Sequence, residues 1–207
     1  MPEPHVGQAR RVLTVPNVIS IVRLLCAPLF VWLLFGPEDR TAAFVLLALL
    51  GATDWVDGWI ARRWDQGSDL GKVLDPTADR VLLLTAVISL TIDGAVPAWF
   101  GIAVLAREAV VSAATLALAA AGARRIDVQW VGKAGTFALM FAFPGFLWLS
   151  DTSPGTFHDL LEIATWTVAI VGLVLSYWAA IVYVPLARRA LREGRDGGAT
   201  AAAEARA

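Results

Sequence analysis

Six apolar runs separated by short polar segments constrain this chain more than any other feature. They cover Val18 to about Phe35, Ala42 to about Ala61, a stretch ending near Ile92, Val96 to about Gly122, about Gly132 to Leu149, and about Leu160 to Val184. A helix needs about 20 residues to cross the hydrocarbon core of a bilayer. Hydrophobic residues make up 57% of the 207, above the roughly 45–50% of soluble domains. The runs predict an all-α polytopic membrane protein with six transmembrane helices.

The second run is the informative one. Its uninterrupted apolar part, Ala42 to Thr53, stops at Asp54 and is too short to span. The helix is therefore expected to continue through the acids to about Ala61. Asp54 then lies about 12 Å along the axis from Arg62, at the depth of lipid headgroups. The third helix has two readings at its start. Asp75-Pro76 fits an N-cap followed by proline at the first helical position. Alternatively the helix begins near Asp69 and Pro76 falls within its first turns.

Charge sets the expected topology. Arg10, Arg11, Arg62, Arg63, Lys72, Arg124, Arg125, Lys133, Arg188 and Arg189 all fall on the side of the termini, whereas Arg40 is the lone basic residue of the opposite loops. The positive-inside rule then makes both termini and the Asp54 region cytoplasmic, in a protein of the plasma membrane. Residues 1–17 read as an interfacial segment, 18–187 as the six-helix domain, and 188–207 as a basic tail that becomes disordered beyond Gly194. The formal net charge is −1, which gives no reason to expect nucleic acid as a partner. Cys26 is the one cysteine, so no intramolecular disulfide forms.

Between Asp54 and Asp79 the sequence reads DWVDGWIARRWDQGSDLGKVLDPTAD, or D-x2-D-G-x2-A-R-x8-G-x3-D-x3-D. Asp54 and Asp57 share a helical face, and the small residues Gly58 and Ala61 extend it, leaving room for close approach. Gly71, Asp75 and Asp79 recur every four residues and share a face in turn. A short loop makes the two helices antiparallel neighbours, so four carboxylates can converge at the cytoplasmic ends of helices two and three. Such a cluster repels itself unless compensated. An all-oxygen set without histidine or cysteine suits Mg2+ or Mn2+ better than zinc, and two ions would clamp a pyrophosphate for phosphoryl transfer. Arg62 at the mouth suits phosphate contact. One acid at a helix end is ordinarily just solvated; four at matched spacing, flanked by apolar spans, point to function.

This spacing resembles, position for position, the signature of the CDP-alcohol phosphatidyltransferase family, and the segment from Thr14-Val15-Pro16-Asn17 to Arg23 is similar to that family's approach to its first span. The resemblance implies transfer of a phosphatidyl group from CDP-diacylglycerol to an alcohol, with release of CMP. It implies that Asp54, Asp57, Asp75 and Asp79 hold two divalent ions, with Asp79 also the general base. It assigns Gly58, Ala61, Arg62 and Gly71 to the CDP pocket, and it implies a homodimer.

For the acceptor, Leu105 to Val111 and Val131 to Pro144 resemble the glycerol-type branch. Phosphatidylglycerol is the expected acceptor, as in the cardiolipin synthases of this fold; glycerol 3-phosphate is the alternative. Arg107, Arg124 and Lys133 are the candidate acceptor-binding residues. Each has a plainer reading: Arg107, with Glu108 beside it, as a structural ion pair with other helices, the other two as topology anchors. Two other classes remain: an ion or proton carrier, which would not need Gly58, Ala61 and Gly71 at their spacings, and a helix-packing or assembly protein, which would have no reason to gather four carboxylates.

Overall fold

The computed structural model describes the backbone of residues 15–64, 71–121 and 130–204, and side chains over most of 17–53, 77–121 and 130–185. All regular structure among these residues is helical: α1 (Val15–Phe35), α2 (Arg40–Trp64), α3 (Gly71–Asp93), α4 (Ala98–Ala120), α5 (Trp130–Asp151) and α6 (Thr156–Glu204). Within them Asn17–Phe35, Ala98–Leu118, Trp130–Asp151 and Thr156–Pro185 are long and apolar enough to cross a membrane. They are apolar on their outer faces as well as their inner ones. Leu25, Trp32, Ile102, Val110, Leu116 and Ile181 are all exposed, a pattern that suits lipid rather than water. The chain is an integral membrane protein.

The expected extension of α2 is present. Its apolar part, Arg40–Thr53, continues without a break to Trp64. The motif acids keep α2 and α3 from reading as plain apolar spans, although at 25 and 23 residues each is roughly 35 Å long. α3 begins at Gly71. Asp75-Pro76 is therefore not its N-cap, and the proline sits within the opening turns, just past the first turn whose N–H groups have no intrahelical partner.

The apolar part of α6, Thr156–Pro185, ends where the sixth run was expected to end, and the helix continues to Glu204. The segment past Pro185 is rich in alanine, leucine and arginine, the residues of highest helix propensity, and these outweigh its glycines.

The chain divides into two compact units. The first comprises Met1–Ala98 and Met140–Thr165, and in it α1 packs on both α2 and α3. Its core is built from Ala27, Phe30 and Leu34 of α1, Ala43 and Leu47 of α2, and Leu82, Ala86, Val87 and Leu90 of α3. Met140, Phe143, Phe146 and Leu147 of α5 add to it. Phe44 and Phe157 both lie against Trp148, with ring centroids 5.1 and 5.5 Å away.

The second unit comprises Trp99–Leu139 and Trp166–Ala207. Here α5 and α6 approach closely at glycines: a Cβ on Gly135 would lie 2.8 Å from the Ser176 backbone N. The Tyr177 hydroxyl donates to the Ala103 carbonyl at 2.8 Å, linking α6 to α4. Trp99 and Trp166 stack at 5.7 Å, and Phe100 meets both edge-on.

Candidate active site

Two ion pairs fix how the motif helices of the first unit are arranged. Arg40, the first residue of α2, donates from Nη2 to Asp93 Oδ1 at 2.9 Å, and Asp93 is the last residue of α3. The start of one helix thus meets the end of the other, so they run antiparallel. The end of α2, which carries Asp54, Asp57, Gly58, Ala61 and Arg62, falls at the same end as the start of α3, which carries Gly71, Asp75 and Asp79. The side chains of Asp54, Asp57, Ala61, Arg62 and Asp75, with the surroundings of Gly58 and Gly71, lie outside the described residues.

Asp79 is described. Its Oδ1 accepts a hydrogen bond from Nη1 of Arg23, on α1. The Arg23 side chain is 0% exposed and that of Asp79 28%. Burial of the arginine is complete while the carboxylate keeps an open face. Val15 to Arg23 and Gly71 to Asp79 are equal steps along their helices, about 12 Å each, so the pair meets at matched depth. Asn17 and Ser20, two turns and one turn before Arg23 on the same face, are also buried. The inward face of α1 is therefore polar toward the motif end and apolar from Ala27 onward. On the outer side of α3 an open groove is lined by Thr77, Arg80, Val81 and Leu84.

A residue two turns into α1 can either snorkel to the interface or face inward, and Arg23 faces inward. The signal was present in the spacing: Asn17, Ser20 and Arg23 recur every three residues in an otherwise apolar run. The partner of Arg23 was not visible, because Asp79 lies 56 residues further on.

The candidate acceptor residues have mixed placements. Arg107 of α4 donates from Nη1 to Glu108 Oε2 at 2.8 Å and from Nε to the Ser176 carbonyl of α6 at 3.4 Å. The structural reading thus takes another form than expected: Arg107 pairs with its neighbour on the same helix and reaches α6 through a backbone carbonyl. Lys133, in the opening turns of α5, is exposed. Arg124 lies outside the described residues. Arg107 and Lys133 belong to the second unit and Asp79 to the first.

Comparison with known proteins identifies the family. The profile of the CDP-alcohol phosphatidyltransferase family matches residues 13–185, and the chain belongs to that family. It is 42% identical over 190 residues to the cardiolipin synthase (CMP-forming) of Streptomyces coelicolor, covering 89% of this chain and 87% of that protein. It is 31% identical over 183 residues to the CDP-diacylglycerol–glycerol-3-phosphate 3-phosphatidyltransferase of Haemophilus influenzae, covering 86% of this chain and 95% of that protein. The protein is a phosphatidyltransferase of the glycerol-type branch.

Proposed function

We propose that this enzyme transfers the phosphatidyl group of CDP-diacylglycerol to phosphatidylglycerol, forming cardiolipin and releasing CMP. The observation that carries this choice of acceptor is the 42% identity to a cardiolipin synthase over nearly the whole chain. The relative that uses glycerol 3-phosphate stands at 31%. Glycerol 3-phosphate is the second reading, and that lesser likeness is what favours it.

Asp54, Asp57, Asp75 and Asp79 are the residues that would hold two Mg2+ or Mn2+ ions. The donor set fits: it is carboxylate oxygen throughout, gathered on one end of two antiparallel helices, and hard divalent cations prefer such donors. When bound, the ions neutralise the pyrophosphate and the charge that develops on the departing nucleotide.

The remaining work falls to the chain. Gly58, Ala61 and Gly71 leave space for the nucleotide, and Arg62 meets its phosphate. Asp79 takes the proton from the acceptor hydroxyl as that oxygen attacks the phosphorus bearing diacylglycerol. The bond from this phosphorus to the bridging oxygen breaks, and CMP leaves with the electron pair. Arg107, Arg124 and Lys133 supply positive charge for the phosphate of the acceptor.

All six helices span the bilayer in this reading, with both termini and the acids on the cytoplasmic side of the plasma membrane. The concentration of arginine and lysine at that end supports it. The test is expression in a host that lacks cardiolipin. Lipid extracts should gain a species carrying four acyl chains with the wild-type enzyme and none with Asp79→Asn. Accumulation of phosphatidylglycerophosphate instead would select the second reading.

A further inference from the structure

We propose that Arg23 is a positioning residue for the transfer, holding the Asp79 carboxylate in the orientation from which it takes the acceptor proton. The inference rests on the reading of Asp79 as general base.

The argument begins with what α1 and α3 need in order to pack. From Ala27 onward the inner face of α1 is apolar, with Phe30 at 0% and Leu34 at 2% exposure. The inner face of α3 offers Ala78, Leu82, Ala86 and Leu90, none above 1%. These surfaces hold the helices together without charge. A guanidinium removed from solvent, by contrast, carries a desolvation cost that its ion pair recovers only with good geometry. Apolar replacements of such pairs are often neutral or stabilising. Arg23 is therefore a poor device for stability and is better explained by what it does to Asp79.

That effect is geometric. A carboxylate left 28% exposed at the edge of a site would sample several rotamers. Arginine offers a rigid planar set of donors, and this one is fixed by complete burial. Bonded through Oδ1, Asp79 has one oxygen anchored and is held before the acceptor arrives. Preorganisation of this kind governs the rate of the chemical step more than substrate affinity, and a misplacement near 1 Å costs on the order of 10²-fold.

The test compares wild type, Arg23→Met, Arg23→Lys, Asp79→Asn and the Arg23→Met/Asp79→Asn double variant in lipid nanodiscs. CMP release is followed with CDP-diacylglycerol, phosphatidylglycerol and Mg2+, and melting temperature is read alongside. In Arg23→Met, kcat should fall about 10²-fold while both KM values stay within about twofold, and Arg23→Lys should recover about a tenth of the wild-type rate. In the Asp79→Asn background, Arg23→Met should cost little more, because residues that act as a unit are not additive. The double variant should also melt above Arg23→Met, in which the Asp79 carboxylate keeps its charge without the buried guanidinium beside it. Should Arg23→Met fail to fold, the kcat and KM values of Arg23→Lys decide.

A wild-type kcat in Arg23→Met, or in Arg23→Lys where only that variant folds, would overturn the inference. So would equal losses in the two backgrounds, or a loss confined to KM. Those results leave the proposed reaction intact if wild type releases CMP. Silence of the wild type would remove both.

Discussion

Arg40 at the start of α2 reaches Asp93 at the end of α3 with one nitrogen and Ser150 of α5 with the other, at 2.9 and 2.8 Å. Three helix ends are thereby tied by one side chain, opposite the end that carries the acids. Asp93 is only 10% exposed in its side chain and Arg40 is 32%, so removing the arginine strands a largely buried carboxylate. Arg40→Ala should cost about 1–3 kcal/mol, read as a lower melting temperature in nanodiscs, while activity per folded molecule stays near wild type. An unchanged melting temperature would show that the tie contributes nothing to stability.

The glycines of α5 separate by their neighbours. A Cβ on Gly135 would lie 2.5 Å from Ser176 Oγ and 3.0 Å from the Gly172 carbonyl, whereas one on Gly132 meets only the Ala179 Cβ, at 3.4 Å. Gly135→Ala should therefore destabilise by about 1–3 kcal/mol, the usual cost of overpacking. Gly132→Ala should sit within about 1 kcal/mol of wild type, the helix gaining a better former. Thermal unfolding of the two variants side by side checks the contrast, and equal melting temperatures would contradict it.

Asp79→Asn keeps the shape of the side chain and removes its basicity. The expected loss in kcat is about 10²–10⁴-fold, the range for a general base, in protein that still folds and binds CDP-diacylglycerol. A variant with near wild-type turnover would take the base role away from Asp79.

Lys133 and Arg107 should respond differently when removed. Lys133 is exposed, so Lys133→Ala should raise the KM for phosphatidylglycerol about tenfold, equivalent to about 1.4 kcal/mol, without touching stability. Arg107 is engaged by Glu108 and the Ser176 carbonyl, so Arg107→Ala should lower the melting temperature as well as raise that KM. Steady-state kinetics with the acceptor varied separates them. An unmoved acceptor KM in both would leave the acceptor phosphate to other residues.

What could be read from the sequence follows from the range of the interactions involved. The extension of α2 through Asp54 to Trp64 was legible because an apolar run from Ala42 to Thr53 is too short to span alone. The start of α3 was not settled, since Asp75-Pro76 satisfies the local rules for an N-cap as well as it fits the opening turns of a longer helix. Arg40 and Asp93 looked like loop charges serving topology, and Arg23 like a residue of either face. Their partners are 53 and 56 residues away, and no local pattern encodes such pairings. The four aspartates stood out as a candidate site because acids at helical spacing between apolar spans have few other uses.

The central claim is the identity of the reaction, and CMP release by the purified enzyme tests it most directly. CDP-diacylglycerol is supplied with Mg2+ or Mn2+, and phosphatidylglycerol and glycerol 3-phosphate are offered separately, with a chelator and Asp79→Asn as controls. The account predicts CMP release with phosphatidylglycerol, lost on chelation and in Asp79→Asn. Release with glycerol 3-phosphate alone would contradict the acceptor, and no release with either from folded protein would contradict the reaction itself.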